Sequence, residues 1–573
     1  MPQTKLLFSQ RSTVFLIAWL LTTTLYAQSD LPAVPLTQLT RPTGWELAGS
    51  ISPTADAKSL RPKAGNTILV GTNEPLTLAK PTDDFRMRFD LMMTSNAGVM
   101  LSLPGGQPIS LDHSLDLPRL LKAPGLWQTV EMWYKTGGPK GAPMLEKLIL
   151  NGITVREAQI LTGKNNGLVT LMATNGSIAI RNLGYRIMSP RNVAKWSSPL
   201  NYTIVEGGYI LDPQEAARKK VLKQDTTSML NYEVSYGQPR QYSIFFTGKL
   251  NVLEAGTYQL ELDHGGAAAL WVDGKELIPV NHLELGMTAR GTTTISAGTH
   301  DIRVYFSRSW FRPGLGLFIS LADTRPQPLH APASLPEPDA VALVSVNPDY
   351  SSLQDKIQRI RSFVQLPGEK MKRTHSLSVG SPTGIHYTLD LNQMALVQVW
   401  KGDFANVTEM WYERGEPQLL SPLGTVVRPP AQTPLMLLQD EAAAWPDSVD
   451  DKLVQYKGQT VDKQGLPTIQ YQLGGLTVND AIQTSKDDPA GSTLTRTLIF
   501  SGSATGTPYC RIAAGTSVEE VAKGLYAIND RSYYVRIDPK AKVKMRQSNG
   551  KQEVLLPIDM KNGPGSVQYS IIF

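Results

Sequence analysis

The sequence predicts an almost all-β, multidomain chain of sandwich-like units. Two observations carry this expectation. Many short runs alternate apolar and polar residues with period two, rich in Thr, Val and Tyr. The 573 residues include 47 glycines and 40 prolines, which supply the turns between such runs. The length suggests about three or four domains.

The first element is a targeting signal. Lys5 and Arg11 flank a basic start, and an apolar run extends from Thr13 to Ala27. This is the pattern of a secretory signal peptide, residues 1–27, with cleavage expected after Ala27. The alternative is an uncleaved anchor, for which the apolar core is short. No Cys follows the run, so a lipid-modified N-terminus is not expected, and the chain reads as secreted or periplasmic. The lone Cys510 excludes an intramolecular disulfide and any Cys-based zinc cluster. The net charge is +6, and loss of residues 1–27 removes two bases and no acids, leaving +4. No basic tract is present, so nucleic acid is excluded as an expected partner.

Residues 31–190 read as the first β-sandwich. Phe85, Met87, Phe89 and Leu91 alternate with Arg86, Arg88 and Asp90, as in a half-buried strand. Further strands are expected at 96–103, 125–135, 146–157 and 176–187, with Asn151-Gly152 as a hairpin turn. The stretches "TGWEL", "DDFRMRFDLMMTSNAGVMLSL", "APGLWQTVEMW", "LILNG" and "GSIAIRNLGYRI" follow one another over residues 42–187. In that order they resemble the 3-keto-disaccharide hydrolase family, which is similar to concanavalin-type glucanases. The resemblance implies a jelly-roll sandwich and a saccharide-related, glycoside-hydrolase-like role.

Candidate acid–base groups here are Glu131, Asp112 and His113. The ketone of a 3-keto-glycoside acidifies the neighbouring C–H, so one acid and one base suffice. Glu131 lies in register with Trp127 and Trp133 on one strand face, where two indoles would bracket a carboxylate. Against turnover, residues 104–125 contain no Glu and form only a short insert. Weak or lost catalysis is therefore expected. His113 is the one histidine of this segment, so no multi-histidine metal site is expected.

Residues 195–325 read as a second sandwich. "GTYQLELDHGGAAALWVDGKEL", residues 256–277, holds two strand patterns joined at Asp263-His264-Gly265-Gly266. That bend reads as a hairpin turn needing φ > 0, or as a loop beside a ligand. Asp273-Gly274 reads as a second hairpin turn. With "YSIFFTGKLNV" before and "ISAGTHDIRVYFSRSWFRPGLGLFISL" after, the segment resembles the protective-antigen-type domain of toxins, yeast adhesins and glucosidases. In sugar-binding members of that family, paired aspartates in the bend hold a calcium that contacts sugar hydroxyls. Asp263 and His264 match that pair, and His is a poor calcium ligand, so no metal or other cofactor is expected. Asp263, His264 and Trp271 remain candidates for saccharide contact, and Trp310 and Phe311 for stacking.

Residues 326–340, within a Pro- and Ala-rich run from Asp323, read as an extended linker with His330 exposed. Residues 341–573 read as a third β-rich domain of unassigned function. Strands are expected on either side of Pro367-Gly368 and of Asn392-Gln393, and "QDKIQRI" (354–360) is read as a helical turn or two. The region resembles one found in exported bacterial proteins beside cytochrome and sugar-dehydrogenase-like domains. That resemblance implies other exported sugar-processing enzymes as partners. The densest polar-aromatic cluster lies here: His375, His386, Asp390, Trp400, Asp403 and Glu409, then Trp411, Glu413, Arg414 and Glu416. His386, Trp400 and Trp411 are its candidate saccharide contacts.

Three functional classes follow. The favoured one is an exported carbohydrate-active protein that binds a glycan. The alternatives are an active 3-keto-glycoside hydrolase or lyase, and a structural envelope protein.

Overall fold

A computed structural model describes residues 31–111, 120–138, 141–164, 167–337, 343–348, 357–411, 418–488, 491–504, 506–560 and 564–573. Within them the fold is almost all β. The two α-helices, Pro213–Ala216 and Thr408–Trp411, have four residues each. The apolar segment 13–27 lies outside the described residues. Among the described residues, no helix is long and apolar enough to cross a membrane.

The first sandwich faces a seven-stranded sheet against a four-stranded one. The larger sheet runs in the order Trp45–Pro53, Leu60–Gly71, Ile178–Ile187, Phe85–Met93, Trp127–Lys135, Met144–Leu150, Ile153–Ile160. Phe85, Met87, Phe89 and Leu91 are fully buried between the sheets, and the intervening Arg86, Arg88 and Asp90 lie half-buried on the outer face. This is the period-two pattern as expected. Asn151 and Gly152 have φ of 51° and 86° and close a two-residue hairpin between Leu150 and Ile153.

The second sandwich has the same plan, with its core between a seven-stranded and a four-stranded sheet. Asp273-Gly274 closes the hairpin from Val272 to Lys275. The bend at Asp263–Gly266 is not a hairpin. Gly256–His264 pairs with Thr288–Ile295 and Leu315–Ser320, whereas Gly266–Val272 pairs with Lys275–Leu283 and Gly298–Ser307. The chain changes sheet through the single residue Gly265. Strand periodicity fixes which residues alternate, but not which strand becomes the partner.

The expected linker is not a spacer. Gln327–Pro328 adds to the strand Leu315–Ser320, Leu329 enters the core, and His330 is buried with its imidazole bonded to the Leu317 backbone. Pro328 sits on the sheet edge, where a missing N–H costs no ladder bond. A two-residue strand is too short to mark a composition.

The third region holds sheets of six, four and eight strands that share one core. Leu377 and Tyr387 come from the first of these, Cys510 and Val554 from the second, Tyr471 and Leu498 from the third. Gly368 and the turn after Asp390 join strands as expected. "QDKIQRI" is not helical where described, because Gln358–Val364 is a strand paired with Arg373–Gly380.

The three regions are knitted together. Ala123 and Leu126 of the first sandwich belong to the core of the third region. Thr425 Oγ1 donates to the Leu120 carbonyl at 2.5 Å, and Lys401 Nζ to that of Leu121 at 3.3 Å. Arg325, at the end of the second sandwich, reaches Asp84 at 2.5 Å and Glu146 at 3.1 Å in the first.

Candidate functional site

Four places contain the residues expected to act. On the outer face of the first sandwich, Glu131 and Trp133 lie together. Glu131 Oε1 accepts from Arg86 Nε at 2.8 Å and from Trp133 Nε1 at 2.7 Å. The Arg86 guanidinium lies over the Trp133 ring at 4.7 Å. Three side chains thus occupy one another, and one face of the indole is covered. Trp127 shares the sheet face but is buried in a separate apolar cluster with Met92 and Ala179, under Arg181 at 4.0 Å. It therefore does not bracket Glu131 as the strand register implied. Asp112 and His113 lie outside the described residues.

At the sheet change of the second sandwich, Gly265 is required by close approach. A Cβ there would lie 1.9 Å from the Arg312 carbonyl oxygen, and backbone cannot swing away as a side chain would. Gly265→Ala is expected to destabilise by about 1–3 kcal/mol, the range for overpacking, read as a lower denaturation midpoint. His264 is fully buried, so a direct saccharide contact by it is corrected to a structural role. Its Nε2 bonds Asn281 Oδ1 at 2.9 Å, and burial lowers its pKa to about 4. Asp263 is half-buried, its pKa raised by desolvation, with the Gly286 N–H donating at 3.4 Å. Among the described residues no group of three or more His, Cys, Asp or Glu gathers to hold a metal. Millimolar calcium is expected to leave the melting midpoint unmoved relative to chelator, because stabilisation by a ligand requires a site present only in the folded state.

Beside this crossing, four rings form an aromatic platform. Tyr209 lies 4.6 Å from Trp310, and His282 lies 4.8 Å from Trp310 and 4.7 Å from Phe311, nearly parallel to the last. Trp310 is 64% exposed and Tyr209 43%. Tyr209 has φ of 55°, a costly conformation for a side chain of its size, held by its N–H donating to the Arg308 carbonyl at 2.7 Å. Trp310 and Phe311 were legible in the sequence; Tyr209 and His282 were not. The signal for Tyr209 is its position after Gly207-Gly208, where a Cβ at Gly208 would meet the Arg308 carbonyl. Trp271 lies on the outer sheet face with the Arg303 guanidinium over its ring at 5.0 Å, which covers the plane a sugar would use.

The cluster expected in the third region separates. His386 and Trp400 are fully buried. The Ser381 N–H donates to His386 Nδ1 at 3.1 Å, and His386 Nε2 donates to the Gly402 carbonyl at 3.0 Å. Trp400 Nε1 donates to the carbonyls of Asp403 and Phe404, and its ring stacks on Phe404. Both are core residues, corrected from saccharide contacts, because their strands are covered on both faces. Asp390 is buried against Arg373 at 2.7 Å. Trp411 is 58% exposed at the end of its short helix; Glu413, Arg414 and Glu416 lie outside the described residues.

The fourth place is a cleft of about 660 Å³ where the outer face of the first sandwich meets the third region. Arg88, Asp90, Lys122, Trp127 and Arg181 face Asn529 and Asp530 across it. Arg181 spans it, bonding Asp90 at 3.3 Å and Asp530 at 2.5 Å. Of the residues expected to act, Trp127 lines it, but no motif pointed to the cleft itself, because its two walls are about 400 residues apart.

No protein-family model and no curated protein matches the chain. Solved structures with similar parts include an anti-sigma factor domain-containing protein from Clostridium clariflavum, at 12% identity and TM-score 0.21, covering 47% of this chain and 84% of that one. The PA14 domain of the MpAFP antifreeze protein is 14% identical at TM-score 0.21, covering 25% of this chain and 93% of that one. The epithelial adhesin 9 A domain from Candida glabrata, solved with Galb1-3GlcNAc, is 10% identical at TM-score 0.19, covering 24% and 88%.

Proposed function

We propose that this chain is an exported saccharide-binding protein that holds its ligand on the aromatic platform of the second sandwich. The carrying observation is the contact of Tyr209, His282, Trp310 and Phe311, with Trp310 64% exposed. Sugar rings present C–H faces that pack on such planes, while a large exposed aromatic group otherwise costs free energy in water. Catalysis is weak or lost in this reading. Glu131 is held by Arg86 and Trp133, and the short insert 104–125 contains no Glu.

A glycan-array screen of the mature chain, followed by titration of the best neutral sugar, tests it. Trp310→Ala is expected to weaken binding at least tenfold, about 1.4 kcal/mol. Glu131→Gln is expected to leave binding unchanged. Binding indifferent to Trp310 would remove the platform from the function. Incubation with 3-keto-glycosides is expected to release no aglycone; release abolished by Glu131→Gln would establish the hydrolase alternative. Amino-terminal sequencing of the exported protein is expected to begin after Ala27.

A further inference from the structure

We propose that the cleft between the first sandwich and the third region is a second binding site, for a saccharide bearing an anionic group, either a carboxylate or a sulfate ester. Two lining cations carry the inference. Among the described residues, neither Arg88 nor Lys122 makes a side-chain hydrogen bond or ion pair. The carboxylates on this sheet face are already taken: Glu131, opposite Arg88, is held by Arg86 and Trp133, and Asp90 is held by its own partners. Its Oδ2 accepts from Asn182 Nδ2 at 2.8 Å and Arg181 Nε at 3.3 Å, and its Oδ1 from Thr129 Oγ1 at 3.4 Å. Asp530 across the cleft is bound to Arg181. Two cations with no direct ion pair in a half-enclosed space favour an anion there, because charge-assisted hydrogen bonds strengthen as water is excluded.

The site is built. Lys122 is set in place by Gln128, itself buried, whose Oε1 accepts from the Lys122 N–H at 3.0 Å and whose Nε2 donates to the Lys122 carbonyl at 3.1 Å. Burial lowers the pKa of the Lys122 ammonium to about 8, an effect that nearby Asp90 opposes and Arg181 reinforces. The remaining walls are neutral and polar, Thr129, Asn182, Asn529 and Ser532, with Thr129 and Asn182 donating to Asp90 and Asn529 Oδ1 accepting from the Thr516 N–H. A volume of about 660 Å³ lies within the range of small-ligand sites. The cleft is separate from the Trp310 platform, so the two readings fail independently.

The charged groups facing Lys122 around the cleft are Arg88, Asp90, Arg181 and Asp530. Lys122 loses its charge within the window from pH 7 to 9. The ammonium is present below about pH 8, and a bound anion raises its pKa, so affinity should fall as pH rises from 7 to 9.

The test is calorimetric titration of the full mature chain with glucuronate, glucose 6-sulfate, methyl glucoside and inorganic sulfate. Either acidic sugar is expected to bind, and the two arms decide between carboxylate and sulfate. Methyl glucoside and sulfate alone should bind at least tenfold more weakly. Lys122→Met should weaken the acidic sugar by about tenfold to a hundredfold, the range for a hydrogen bond to a charged group. Lys122→Arg, which keeps the charge, should flatten the decline between pH 7 and 9, and it decides the matter if the Met variant does not fold. Equal binding of neutral and acidic sugars, sulfate matching the sugars, or acidic-sugar binding lost in Trp310→Ala instead would each overturn the proposal.

Discussion

Asp480→Ala is expected to destabilise the third region by about 3–5 kcal/mol, the typical cost of stranding one partner of a buried ion pair. Asp480 and Arg496 stand on neighbouring strands, Leu476–Asp488 and Gly491–Gly502, with both side chains 2% exposed. Arg496 Nε donates to Oδ1 at 3.0 Å and Nη2 to Oδ2 at 2.5 Å. The same Nη2 donates to the Met394 carbonyl at 2.7 Å, in the turn of a hairpin from another sheet. Removing the carboxylate leaves a guanidinium in a core of Tyr387, Tyr471 and Tyr569, where water cannot replace the lost partner.

Cys510 provides the measurement. It is fully buried in that core, and burial pushes its thiol up to about 12, so it should resist alkylation until the region opens. Denaturant dependence of Cys510 labelling then reports the loss directly. The double variant Asp480→Leu with Arg496→Met should recover most of the stability, since an apolar pair buries no charge. A loss below about 1 kcal/mol in Asp480→Ala would show that the pair is not a closed, desolvated unit.

The second large effect is acid sensitivity of the second sandwich. His264 has its pKa lowered by burial to about 4, against an ordinary value of 6.5. Its Nδ1 is buried without a hydrogen bond, so the fold accepts the neutral ring and resists the charged one. The unfolded chain therefore binds this proton more readily than the folded one. The stability is complete above pH 6.5 and falls as pH drops from 6.5 towards 4, by about 3 kcal/mol across the window.

His330 and His282 are shifted downward by burial and act in the same direction. His300 acts oppositely. Its hydrogen bond to Asp273, at 2.7 Å, raises its pKa, and that contribution is present at low pH and lost as pH rises through the raised value. Urea unfolding between pH 7 and pH 4.5 should show a falling midpoint, with a shallower fall in His264→Gln. A His264 ring resonance that titrates near pH 6.5 in the folded protein would exclude this account.

Much of the fold was legible because its causes are local. The alternation over Phe85–Met93 and the turns at Asn151-Gly152 and Asp273-Gly274 rest on side-chain direction and on φ > 0, which neighbouring residues set by themselves. The candidate sites were legible only in part. Trp400 and Trp411 lie eleven positions apart in one polar-aromatic run, yet one is fully buried and the other 58% exposed. Residue type reports that an indole can stack on a sugar, and layer position decides whether a sugar can reach it.

The sequence by itself determined that this chain is built of strands and which residues alternate across them, because pleat and turn chemistry act over a few residues. Only the tertiary structure decided which strands become partners. It turned the Asp263–Gly266 bend into a change of sheet, drew the Pro-rich stretch after Arg325 into the second sandwich, and placed Ala123 and Leu126 in a core about 250 residues away. It alone brought Tyr209 and His282 to Trp310, and Lys122 to a cleft walled by Asn529. The physical reason is that burial and charge pairing depend on what packs above a strand. That is settled by the free energy of the whole assembly of sheets, and no window of neighbouring residues contains it.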